Sequence, residues 1–136
     1  MRLAKPGNVM KSCLIVDDSA VIRKVAKRIL ASKGVAVTEA ATAHEGLTLY
    51  RMHEPELVIV DATLPDRQTV DFIRDIMAVR TAGKPFVAVL LNEFDIGTIM
   101  RCRRAGAKSH ILKPFTRALL LARIAEITGD ASRAAA

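Results

Sequence analysis

The sequence contains no tryptophan and a single tyrosine, and aromatic residues make up only 4% of its 136 positions. That leaves no set of rings on which the bases of a single-stranded nucleic acid could stack. Only two cysteines occur, Cys13 in an apolar run and Cys102 between two arginines. Neither has a CxxC partner, so a disulfide framework, a zinc site and thiol redox chemistry have no basis. Both thiols are expected to be reduced, in a cytoplasmic protein. No apolar run approaches the ~20 residues that cross a bilayer as a helix, so no membrane partner is expected. Met1 to Lys11 is basic and lacks the apolar segment of a secretory signal. There is no internal repeat, and no low-complexity stretch beyond the closing alanines.

Charge is plentiful and one-sided. Twenty-one Lys and Arg face 14 Asp and Glu, for a net charge of +7 and a pI near 9.9. A basic balance suits nucleic acid or an acidic protein partner. However, the cations are scattered over several segments, and no helix-turn-helix, zinc-finger or RNP pattern accompanies them. Nucleic acid is therefore not an expected partner.

The length suits one domain with its own core. Residues 1–10 read as an N-terminal extension, 11–128 as the domain and 129–136 as a disordered tail. Within the domain, apolar runs alternate with helical patterns five times. The runs are Cys13 to Val16, Val35 to Ala40, Leu57 to Val60, Phe86 to Leu91 and Ser109 to Leu112. Between them lie start and stop signals for helices. Ser19 can cap a first helix that places Val21, Ile22, Val25 and Ile29 on one face and stops at Gly34. Thr42 and Glu45 have capping-box spacing for a second helix, ending before Pro55. A third helix runs through Val70, Phe72, Ile73, Ile76 and Met77 to near Gly83. Asp95 can cap a fourth that stops at Gly106. Thr116 can cap a fifth, with Leu119, Leu120, Ile124 and Ile127 inward. Five β-then-α units imply a parallel sheet covered by helices on both faces, a doubly wound α/β fold. Its ligands are expected beyond the carboxyl ends of the strands.

Those ends carry the chemistry. The first run ends in Asp17 and Asp18, the third in Asp61, the fifth in Lys113. Three carboxylates gathered at one sheet edge repel one another and call for a cation, and hard oxygen ligands suit Mg²⁺. A carboxylate beside such a cation can attack a phosphoryl group and form an acyl phosphate. An ammonium such as that of Lys113 would spread the charge of the transferring group.

The chain resembles the receiver domains of two-component response regulators, especially the single-domain chemotaxis regulators. The residues that carry the resemblance are Leu14-Ile15-Val16-Asp17-Asp18-Ser19, Val58-Ile59-Val60-Asp61, Leu64-Pro65, Ala105-Gly106-Ala107 and Lys113-Pro114-Phe115, across about Lys11 to Ile127. The resemblance implies a flavodoxin-like sheet of strand order 2-1-3-4-5. It implies that Asp61 is phosphorylated, and that Asp17, Asp18, Asp61 and the backbone carbonyl of Thr63 hold Mg²⁺. It further implies that Lys113 contacts the phosphoryl group and precedes a cis peptide to Pro114.

Three positions depart from that pattern. The family has Thr or Ser at the end of the fourth strand, where its hydroxyl meets the phosphoryl group; here that position is Leu91. Asn92, next to it, should point the opposite way. The aromatic switch position on the fifth strand is His110, read as a surface histidine on a strand edge or, alternatively, as a smaller switch. The glycine that follows the phosphorylation loop is missing from Pro65-Asp66-Arg67-Gln68-Thr69, which suggests a looser loop.

The expected function is that of a stand-alone receiver. A sensor histidine kinase or histidine phosphotransferase would phosphorylate Asp61, and the output would be contact with a downstream protein. The competing reading is a degenerate, weakly switching receiver that serves as a binding module or phosphate sink because of Leu91. An aspartate-nucleophile phosphatase fits poorly, since it usually carries a second Asp where this chain has Thr63; no enzyme is expected.

Overall fold

Strand β1 (Ser12–Val16) is apolar from Cys13 onward because both of its faces are covered. The computed structural model describes residues 10–128. Its elements follow in strict alternation: α1 (Ala20–Ala31), β2 (Ala36–Ala40), α2 (Ala43–His53), β3 (Leu57–Asp61), α3 (Thr69–Ala78), β4 (Phe86–Leu91), α4 (Ile96–Ala105), β5 (Ser109–Leu112) and α5 (Arg117–Thr128). All four strand pairings are parallel, and the order is β2-β1-β3-β4-β5, as expected. The tail at 129–136 and residues 1–9 of the N-terminal extension lie outside the described residues. Met10, assigned to that extension, is buried and belongs to the core.

The two-residue period of the strands divides the core into two layers. Leu14, Val16, Val58, Val60, Val87 and Val89 face α2, α3 and α4, where Tyr50, Phe72, Ile73 and Ile99 meet them. Cys13, Ile15, Leu57, Ile59 and Leu90 face α1 and α5, where Ala26, Leu30 and Leu120 meet them. On α1 the buried stripe is Ala26, Ile29 and Leu30, with Ile22 packed beside it. Val21 and Val25, expected on the inward face, are exposed. The stripe at Ile22, Ala26 and Ile29 keeps the i, i+4, i+7 spacing of one helix face, and a small alanine lets α1 lie close to the sheet.

The caps follow the sequence signals. Ser19, Thr42, Asp95 and Thr116 each accept a backbone N–H from the first turn of their helices. Helix α3 stops at Ala78 rather than near Gly83, because the Lys84 ammonium takes the carbonyl of Met77 and the chain turns through Thr81. Gly106 ends α4 with φ 132°, a backbone conformation that side chains resist.

Helix α2 has a second cap from a distant loop. Asp66 accepts the N–H groups of Ala43 at 2.8 Å and of His44 at 3.0 Å, and these two bonds hold its carboxyl below the usual carboxylate range. The Asp66→Ala variant is expected to lose about 1 kcal/mol, the usual value of a cap. The lowered pKa gives this contribution a sign in pH. It is present above 3.8, the ordinary carboxylate value, and is lost as pH falls through the lower value of the fold. Urea unfolding of both proteins checks this: the gap should narrow in acid, and a constant gap would refute it. Among the described residues, no helix is long and apolar enough to cross a membrane.

Candidate functional site

The sheet register brings the acids together. Val16 lies opposite Val60 on the neighbouring strand, so one residue further Asp17 lies beside Asp61. Leu91 lies opposite Leu112, which brings Lys113 to the same edge. This edge is also where strand order reverses, since the chain leaves β1 for β2 on one side and β3 on the other.

Asp17 is fully buried and Asp61 is 5% exposed, while Asp18 faces solvent. Ligand oxygens of the three carboxylates lie within 4.8 Å of one another. The Lys113 ammonium donates to Asp17 Oδ2 at 3.2 Å and to Asp61 Oδ2 at 3.3 Å. Asp17 Oδ1 accepts the Ser19 N–H at 2.8 Å, and Asp61 Oδ1 accepts the Thr63 N–H at 3.3 Å.

Burial, and then the charge of Asp17, push the Asp61 carboxyl up; Lys113 and the Thr63 N–H only partly offset this. Burial would push the Lys113 ammonium down, but the carboxylates, Asp61 foremost, raise it above its ordinary value. The cluster therefore carries an excess of negative charge held in place by one ammonium. Its donors are hard carboxylate oxygens, the set that suits Mg²⁺. The residues present fit such an ion.

The backbone around the acids is tied down by groups that no motif flagged. The Thr69 hydroxyl donates to the Asp61 carbonyl at 2.7 Å, and Arg67 pairs with Asp75 at 2.8 Å. With the Asp66 cap, the loop after Asp61 is held at three points. Thr69 closes the stretch from Pro65 that lacks the family's glycine, and that departure was the available signal. The Lys113–Pro114 peptide is cis, as expected.

The two switch positions look different in the fold. Leu91 is 3% exposed and packs in the core layer with Ile99, while its carbonyl accepts the Lys113 N–H at 2.7 Å. Asn92 is exposed. Among the described residues, only the Thr63 N–H and the Lys113 ammonium donate to the Asp61 carboxylate. His110 is half-buried rather than a free surface side chain. Its Nδ1 is sealed without a hydrogen-bond partner, and its ring meets Phe94 edge-on at 6.2 Å. Burial, with Arg103 and Arg123 nearby, pushes the imidazole pKa down.

The response regulator receiver domain family matches residues 13–125. The chain belongs to that family. This receiver domain is 33% identical over 106 residues to the chemotaxis protein CheY of Thermotoga maritima, covering 77% of this chain and 87% of that one. It is 32% identical over 109 residues to the transcriptional regulatory protein PdtaR of Mycobacterium tuberculosis, of which it spans about half (52%). Among solved structures, a CheY-like receiver domain from Methanospirillum hungatei superposes with a TM-score of 0.81 at 28% identity. That likeness covers 91% of this chain and 98% of the other. Receiver domains of this kind are signalling proteins that bind Mg²⁺ at their acidic pocket.

Proposed function

We propose that this receiver domain takes a phosphoryl group onto Asp61 from the phosphohistidine of a sensor histidine kinase or histidine phosphotransferase. In its phosphorylated form it would signal by contact with a downstream protein in the cytoplasm. The observation that carries this reading is the single ammonium of Lys113 set between the buried carboxylates of Asp17 and Asp61. In the transfer, an Asp61 oxygen forms the new bond to phosphorus as the bond from phosphorus to the histidine nitrogen breaks. The imidazole leaves with its electron pair and picks up a proton from solvent. Lys113 stays charged and sits beside the oxygens where negative charge gathers. Asp17, Asp18, Asp61 and the carbonyl of Thr63 would hold Mg²⁺, which when bound neutralises phosphoryl charge.

Incubation of the protein with an acyl phosphate donor and with phosphorylated histidine kinases tests the reading. An acyl-phosphate label on the peptide that contains Asp61 is the expected result, and no label from any donor would sink it. The metal site has its own test. Mg²⁺ should move the backbone amide signals around Asp17, Asp18 and Asp61 with an affinity in about the millimolar range, since few carboxylates and several retained waters make a shallow site. Asp18→Asn should weaken binding by roughly tenfold, in line with losing one charged ligand. Shifts remote from the three acids would refute the site.

A further inference from the structure

Asp18, alone among the three acids, has no hydrogen bond to its carboxylate among the described residues, and it is the exposed one. Its position therefore depends on the backbone it hangs from. The peptide that joins Asp17 to Asp18 is held by a side chain outside the site. Arg23 on α1 donates through Nη1 to the Asp17 carbonyl at 2.7 Å and through Nε to Glu39 Oε1 on β2 at 3.1 Å. A guanidinium is planar, so fixing Nε fixes the direction of Nη1. Glu39 is in turn held by Lys24 at 2.8 Å and Lys27 at 3.6 Å. The pair is well shielded, with side-chain exposures of 16% for Arg23 and 13% for Glu39.

We infer that Arg23, anchored by Glu39, is a positioning residue that sets the Asp17–Asp18 peptide so that Asp18 completes the cation site. The inference rests on the reading of Asp17, Asp18 and Asp61 as the Mg²⁺ site. Coulomb's law predicts the opposite effect from the same residue. Arg23 is a cation near a cation site, so its removal should tighten Mg²⁺ binding if charge were all that mattered. Positioning requires that its removal weaken binding. Groups that orient metal ligands from outside are typically worth about 10–100-fold in affinity.

The experiment is an Mg²⁺ titration followed by backbone amide shifts, on the parent and on Arg23→Lys, Arg23→Gln and Arg28→Gln. Arg23→Lys keeps the charge but cannot bridge the Asp17 carbonyl and Glu39 together. Both Arg23 variants are expected to bind about tenfold more weakly. Arg28→Gln removes an exposed charge from the same helix without touching Asp17 or Glu39, and should bind as the parent does or slightly more tightly. In the metal-free proteins, the Asp18 amide signal should move in the Arg23 variants and stay in place in Arg28→Gln. If one Arg23 variant does not fold, the other decides, since each alone must show the loss. Equal or tighter binding by a folded Arg23 variant overturns the inference while leaving the metal site intact. A parent that binds no Mg²⁺ at the three acids overturns both.

Discussion

Asp61→Asn is expected to abolish acyl-phosphate labelling and at the same time to make the metal-free protein more stable. The first effect follows because an amide is not a nucleophile toward a phosphoryl group. The second follows from the surroundings of the carboxylate. Burial and the neighbouring Asp17 raise its pKa, so the fold prefers the neutral form. A neutral side chain of the same shape removes that conflict, and the Lys113 ammonium keeps Asp17 as its partner. The sign with pH is fixed. The raised value means that ionising Asp61 costs stability. That cost is absent below the ordinary value of 3.8 and grows until pH passes the raised value of the fold. The variant should therefore match the parent in acid and exceed it near neutrality. The gain is expected to appear as a higher unfolding midpoint near neutrality that disappears in acid. Phosphotransfer with peptide mapping and thermal unfolding in chelator measure the two effects. Label that survives in Asp61→Asn would move the phosphoacceptor elsewhere. A variant less stable than the parent near neutrality would refute the electrostatic account.

Leu91→Thr is expected to strengthen the response of this domain to a phosphoryl mimic. In the family pattern that the chain resembles, a threonine at this position brings a hydroxyl to the phosphoryl group on Asp61, whose carboxylate has only the Thr63 N–H and Lys113 as donors among the described residues. A hydrogen bond to a charged group is worth about 1.5–3 kcal/mol, which is about one to two powers of ten in coupling. The parent lacks that link, and its 92–95 loop is held by other means. Asp95 accepts the N–H groups of Gly97 and Thr98, Phe94 lies against His110, and the Leu91 carbonyl takes the Lys113 N–H. None of these contacts depends on a phosphoryl group. Beryllofluoride should therefore cause small amide shifts across α4 and β5 in the parent and larger ones in Leu91→Thr, but only while Asp61 is intact. The substitution also removes buried apolar contacts, at about 1–3 kcal/mol, so thermal unfolding must accompany it. A full-sized shift in the parent would show that the hydroxyl is dispensable, and the weakly switching alternative would have to go.

The sequence by itself determined the alternation of elements, the caps at Ser19, Thr42, Asp95 and Thr116, and the presence of acids and an ammonium at three strand ends. These are local properties. A cap is read within three residues, a buried strand from its own apolar run, and a charged strand end from the residue that follows the run. Only the tertiary structure decided which distant groups hold those ends in place. Thr69 against the Asp61 carbonyl, Asp66 on α2 and Arg23 on the Asp17 carbonyl are contacts between different elements. The same holds for the outward turn of Val21 and Val25, the burial of Met10 and the sealed Nδ1 of His110. Each depends on the rotation of a helix about its axis or on the register between parallel strands. Those are set by packing the whole core at once, because parallel strands meet only after a crossover helix and leave no local pattern from which the meeting can be read.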